Sequence, residues 1–182
     1  MKKILLIFLI IGFNNIANGS IKKNIIQNLI YTENLSFKFE QNINGKIETG
    51  NCIIEYPKKI FCTYDNMNNK ILVSNGKSLV IKTISSYYNY PLKKTPLNLI
   101  LDKEFLLKRI NKMKINSIED TFISFQFVEN DNIFEMFFDK ENHNLIGWQT
   151  TDIYQNLSTT YLSSLVINQK IQKQIFNLPT QN

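Results

Sequence analysis

A chain of 182 residues with 43% apolar and 20% charged side chains is about one domain long and holds enough apolar material for one core, which excludes a disordered or fibrous protein. The net charge of +6 falls to +4 once Lys2 and Lys3 are set aside as part of a leader, and the other basic residues are scattered among Ile and Asn, so nucleic acid is not an expected partner. A single His, two Cys and 6 Gly supply neither metal-ligand spacing nor a phosphate-cradling loop, so no metal, no cofactor and no enzyme activity are expected.

Residues 1–19 have the three parts of a secretory leader: Lys2 and Lys3, an apolar run over 4–13, and the small-residue end Ala17-Asn18-Gly19, which predicts cleavage after Gly19. The apolar run is short for a bilayer, and no later segment reaches about 20 apolar residues, so residues 20–182 are expected to form one soluble domain. Ile21, Ile25, Ile26, Leu29 and Ile30 then recur at helical spacing and predict an amphipathic helix. Leu35, Phe37 and Phe39 alternate with polar residues, and the period switches from helix to strand.

Asn44-Gly45 is a hairpin signal leading into a second strand over 46–56. The turn Tyr56-Pro57-Lys58-Lys59 leads to a third strand over 60–65, and Asn75-Gly76 joins two more over 70–74 and 78–84. Five strands linked by short turns predict a meander. Thr95-Pro96-Leu97-Asn98-Leu99-Ile100-Leu101 predicts a short apolar helix with Thr95 as its N-cap. Four further strands are expected over 121–128, 133–138, 145–152 and 158–166, giving roughly nine strands in all.

Two features remain open at this level. Cys52 and Cys62 flank the turn at Pro57 and either form a disulfide across the hairpin or pack as two small apolar residues. Strands 121–128 and 133–138 are apolar on both faces, with Ile123, Phe125 and Phe127 opposite Phe122 and Val128, so both faces need cover from packed core or from a ligand cavity. His143 stands in a polar turn over 140–144, which reads as a solvated loop and not as a catalytic base.

The chain resembles the periplasmic lipoprotein carrier family LolA. The resemblance is carried in order by Leu35-Ser36-Phe37-Lys38-Phe39-Glu40-Gln41, by the stretch from Tyr56-Pro57 to Tyr64, by Leu72-Val73-Ser74-Asn75-Gly76-Lys77-Ser78-Leu79 and by the Thr95 to Leu101 run. It continues in Leu145-Ile146-Gly147-Trp148-Gln149-Thr150-Thr151-Asp152, Thr159-Thr160 and Ile175-Phe176. It implies a mainly β fold with α: an incomplete, strongly curved antiparallel β-barrel, or half-barrel, with a helical lid over an apolar cavity.

The implied cargo is acylated lipoproteins, received from the inner-membrane transporter LolCDE and passed to the outer-membrane acceptor LolB, by a monomer in the periplasm. By the same resemblance Leu35, Phe37, Phe39, Ile54, Ile60 and Leu72 face the cavity, while Leu29, Tyr56, Ile100 and Leu101 form the lid and its latch. Many relatives carry an Arg that hydrogen-bonds the lid backbone where this chain has Tyr56, a weaker neutral donor, and some carry an aromatic at the position of Cys62. A sensor or interaction module on the same fold, or a carrier of other lipids, is the alternative.

Overall fold

Period-two patterning dominates the chain and folds into one antiparallel sheet of eleven strands in the computed structural model, which describes residues 14–65, 68–129, 132–151 and 156–181. The first six strands are β1 (Asn34–Ile43), β2 (Lys46–Glu55), β3 (Lys59–Tyr64), β4 (Ile71–Asn75), β5 (Ser78–Lys82) and β6 (Tyr87–Pro91). The other five are β7 (Ser117–Ile118), β8 (Phe122–Glu129), β9 (Asn132–Asp139), β10 (Leu145–Thr151) and β11 (Leu157–Ile167). Their order across the sheet is β6-β5-β4-β3-β2-β1-β11-β10-β9-β8-β7. Two meanders therefore meet where β1 pairs with β11, and the sheet stays open at β6 and β7.

The helices are α1 (Asn14–Tyr31), α2 (Leu97–Leu101) and α3 (Lys103–Lys112), with 3-10 turns at Leu92–Lys94 and Lys173–Phe176. The leader's lysines and apolar run lie outside the described residues, as do residues 66–67, 130–131 and 152–155, among them the end of the strand expected over 145–152. The cleavage point expected after Gly19 falls within α1. Among the described residues no helix is long and apolar enough to cross a membrane.

Three elements exceed the expected set. Edge strand β6 is hidden in the sequence between the polar Ser85-Ser86 and Pro91, which an edge tolerates because the missing donor faces no ladder. Strand β7 is two residues long. Helix α3 has a readable signal: the Asp102 side chain accepts from the Phe105 N–H, and Leu106 and Ile110 are buried one turn apart. Thr95 is not the cap of α2; its hydroxyl donates back to the Leu92 carbonyl at 2.8 Å, and Pro96 takes the N-cap position.

The two halves of the sheet are covered differently. Over β8 and β9 the concave face is solid: Ile123, Phe125, Phe127, Phe134, Met136 and Phe138 are buried in one core cluster with Ile25 and Leu29 of α1 and Leu106 and Ile110 of α3. Phe127 stacks on Phe134 at 5.3 Å between ring centroids, and Phe105 of α3 lies 5.7 Å from Phe127. The apolar pattern of these strands is thus spent on core packing. On the convex face Phe122, Phe137 and Tyr161 form their own aromatic row. Val73 and Val80 are buried on that face too, where the C-terminal 3-10 turn packs on β3 and β4 and buries Phe176.

Over β1 to β6 the concave face is not filled. Tyr88 of β6 and Trp148 of β10 line one and the same cavity although seven strand spacings separate them along the sheet. A flat sheet would set them roughly 34 Å apart at about 4.8 Å per strand, so the sheet is strongly curled.

Candidate functional site: a graded cavity under a short helix

The cavity has a volume of about 510 Å³, in the range of roughly 300–1,000 Å³ usual for small-ligand sites. The concave face around it is ordered by strand register into rows running across the sheet. Innermost come Leu35, Ile54, Ile60, Ser74, Leu79 and Tyr90 on six consecutive strands. The next row is Phe37, Cys52, Cys62, Leu72, Ile81 and Tyr88. Phe39, Gly50 and Tyr64 follow, then Gln41 and Glu48 with Thr160, and finally Ile43 and Lys46 with Ser158. One face of the sheet therefore passes from hydrocarbon to polar groups along its strands.

Of the residues expected to face the cavity, Phe37, Phe39, Ile60 and Leu72 line it. Leu35 and Ile54 do not; they lie in the innermost row and are buried in the core cluster. Ile100 of α2 lines the cavity together with Leu97 and Pro96, whereas Leu29 and Leu101 are buried in the core and touch no part of it. Cys52 and Cys62 stand directly opposite each other and are joined in a disulfide whose two halves are part of the wall. Replacing both by Ala is expected to cost about 2–3 kcal/mol, because the bridge closes a short loop in the unfolded chain, and to lower Tm by roughly 5–10 °C. A thermal melt with and without reductant checks this; an unchanged Tm would mean that the bridge does not stabilise the fold.

The Tyr56 hydroxyl makes no hydrogen bond to the lid among the described residues. The Tyr56 side chain is buried, and burial pushes its phenol up from the ordinary value of 10.0. With no acceptor on its O–H, the phenol contributes packing and no hydrogen bond in this structure. Tyr56→Phe is expected to raise stability by about 1 kcal/mol by removing an unsatisfied polar atom, without altering the lid; a lower Tm would show that the hydroxyl does have a partner.

The fastening is made two residues further on. The Lys58 N–H donates to the Leu101 carbonyl at 2.9 Å, and the Lys58 ammonium pairs with the Asp102 carboxylate at 2.9 Å, so the β2–β3 turn grips the C-terminal end of α2. Lys103 adds hydrogen bonds from its ammonium to the Ile30 and Thr32 carbonyls, tying α3 to the end of α1. Burial pushes the Asp102 carboxyl up, but the Lys58 hydrogen bond, the Phe105 N–H and the nearby positive charges outweigh it and hold the group below its ordinary value of 3.8. A carboxyl depressed in the folded state contributes stability that is present above the unfolded pKa and lost as pH falls through the folded one. The grip on α2 is thus expected to hold from neutral pH down to about pH 4 and to weaken below it. Lys58→Met should lose about 1 kcal/mol or less, since the pair is partly solvated, and should flatten this acid dependence; hydrogen exchange at α2 reads both.

At the polar end, Glu48 is almost fully buried between Lys70 at 2.6 Å and Lys46 at 3.1 Å, and Lys70 lies 4.0 Å from the centre of the Tyr64 ring. Burial raises the Glu48 carboxyl, yet the hydrogen bonds and charges of the two lysines prevail and keep it ionised below its ordinary value. Gln41 donates from Nε2 to the hydroxyls of Ser158 at 3.0 Å and Thr160 at 3.2 Å. Lys58, Asp102 and this polar end escape a reading of the sequence, since none belongs to an apolar pattern. Alternation nevertheless places Gln41 and Glu48 on the same strand faces as Phe39 and Cys52.

The fold is thus an open, curled antiparallel sheet with helices beside a largely apolar hollow. The sequence matches the family model of the outer membrane lipoprotein carrier protein LolA over residues 31–179, and the chain belongs to that family, one of carriers and not of enzymes. No curated protein matches the sequence. Among solved structures, an uncharacterized conserved protein from Thermus thermophilus is 6% identical with a TM-score of 0.55, covering 90% of this chain and 94% of that one. MucB is 10% identical with a TM-score of 0.53, covering 90% of this chain and 63% of that one. A LolA superfamily protein from Nitrosomonas europaea is 8% identical with a TM-score of 0.45, covering 88% and 97%.

Proposed function

We propose that this chain is a periplasmic chaperone for acylated lipoproteins, taking them from LolCDE at the inner membrane to the outer membrane, to LolB where that acceptor exists. The observation that supports this reading most is the unfilled hollow of about 510 Å³ lined by α2, by strands β1 to β6 and by residues of β10 and β11, while the concave face of β8 and β9 is solidly packed. Hiding an acyl chain from water is worth about 0.8 kcal/mol per methylene, so a chain crossing an aqueous space needs a container, and release needs a better one. The leader read over residues 1–19 fits delivery to that space.

The test is direct. Purified protein lacking residues 1–19 is mixed with a triacylated lipoprotein and passed over a sizing column without detergent. Co-elution as a complex of one carrier and one cargo is expected, and depletion in cells should strand lipoproteins on the inner membrane. A carrier that leaves its cargo aggregated, with normal lipoprotein sorting after depletion, would instead favour an interaction module on the same fold.

A further inference from the structure

We infer that the polar end of the cavity is a second subsite, which hydrogen-bonds the uncharged ester carbonyl that joins the hydrocarbon of a ligand to its head. This inference rests on the proposed carrier function and specifies which part of the cargo each end of the cavity takes. Four observations lead to it.

Ser158 and Thr160 are buried hydroxyl residues that line the cavity. Each already accepts a hydrogen bond from the Gln41 amide, and among the described residues neither donates to a protein acceptor. A hydroxyl carries one proton as well as its lone pairs, so two oriented donors are left for whatever fills the hollow. A carbonyl oxygen is the complementary group.

Register fixes where these donors stand. Gln41 and Thr160 face each other across β1 and β11, one row beyond Phe39, so an amphiphile with its tail toward Leu72 and Ile60 reaches them with its linkage. The tail region offers hydrocarbon; a linkage left there would be dehydrated without a partner, which costs about 1–3 kcal/mol per group. Placing it against the hydroxyls avoids that cost and sets the depth of insertion.

Charge argues against an anionic head at this point. The Glu48 carboxylate is part of the same wall, and both neighbouring lysines are already paired with it. A phosphate or carboxylate would meet that buried negative charge before it could recruit Lys70. The unengaged donors closest to the Phe39 row are the neutral hydroxyls of Ser158 and Thr160.

The experiment compares three probes on the wild-type protein and on a Gln41→Leu, Ser158→Ala, Thr160→Val variant. The probes are the uncharged fluorophore N-phenyl-1-naphthylamine, a synthetic triacylated cysteine lipopeptide, and a dialkyl analogue of that lipopeptide with ether links in place of the esters. Wild type should bind the ester-linked lipopeptide about tenfold more tightly than the ether analogue, the worth of one or two hydrogen bonds, and the variant should bind both equally. The fluorophore should bind both proteins alike, which shows that the variant is folded with its apolar end intact.

Equal binding of ester and ether forms by the wild type overturns the inference, as does a parallel loss of all three probes in the variant. A fourth titration with an anionic lysophospholipid settles the charge argument. If it binds wild type more tightly than the lipopeptide does and Lys46→Met abolishes the advantage, the subsite is for anions and the inference falls. Wild-type protein that binds none of these probes would sink the carrier function itself, a result distinct from failure of the subsite.

Discussion

A Leu72→Asp variant is expected to lose lipid binding by about a hundredfold or more while keeping its fold. Leu72 projects from β4 into the hollow, flanked across the sheet by Cys62 and Ile81, in the middle of the row that would touch hydrocarbon. In the empty cavity water can reach a carboxylate there, so the folded state tolerates it. Filling the cavity with an acyl chain strips that water away, and the short Asp side chain cannot extend to the rim as a Lys could. A dehydration penalty of about 3 kcal/mol corresponds to roughly a hundredfold in affinity. Titration with an apolar fluorophore measures the loss, and circular dichroism checks the fold. Thr63→Asp is the control, because Thr63 is exposed on the paired strand β3 and, next to Cys62, points to the other face of the sheet. If both variants bound equally well, the hollow over β1 to β6 would not be where ligand goes.

The half of the fold built from alternation is legible in the amino-acid sequence. Phe37 and Phe39 on β1, the Asn44-Gly45 and Asn75-Gly76 turns, and the strand order of the first meander follow from side-chain period and turn chemistry. The two strands richest in Phe, β8 and β9, are less legible: their pattern is compatible with a cavity wall, yet they are core, since α3 lies over them. Periodicity says that a face is buried and not by what, so without α3 a packed face reads as a candidate hollow.

The site is legible only in part for a related reason. Phe37, Phe39, Ile60 and Leu72 share alternation with Leu35 and Ile54, and nothing in the pattern tells which rows α2 covers tightly and which it leaves open. Lys58 and Asp102 are 44 residues apart and meet only because the β2–β3 turn comes up against the junction of α2 and α3. Such a tertiary ion pair has no periodic signature. The disulfide is an intermediate case: two cysteines flanking a turn suggest a bridge, and the choice requires the register that sets Cys52 opposite Cys62.

Gly50→Ala is expected to be among the most damaging single substitutions in the first meander, although it adds only one methyl group. Gly50 lies on β2 between Phe39 of β1 and Tyr64 of β3, and a Cβ built there would stand 2.0 Å from the Thr63 carbonyl oxygen and 2.8 Å from the Phe39 ring. A ring edge can swing aside, but a carbonyl belongs to the backbone of the neighbouring strand, and moving it disturbs the β2–β3 ladder. The absence of a side chain is what lets Phe39 lie across β2 and meet Tyr64 edge to face at 5.0 Å, the step where the cavity wall turns from apolar to polar. The substitution should therefore cost about 3 kcal/mol or more and lower Tm by roughly 6–12 °C. It should also weaken fluorophore binding beyond what stability explains, since the displaced Phe39 ring has only the cavity to move into. Gly45 serves as the comparison: a Cβ there meets nothing within 4 Å, but its φ of +88° makes any loss a matter of backbone strain in the hairpin. Gly45→Ala should lower stability without touching affinity per folded molecule, whereas Gly50→Ala should lower both, and equal behaviour of the two would mean that the Phe39 ring does not shape the cavity.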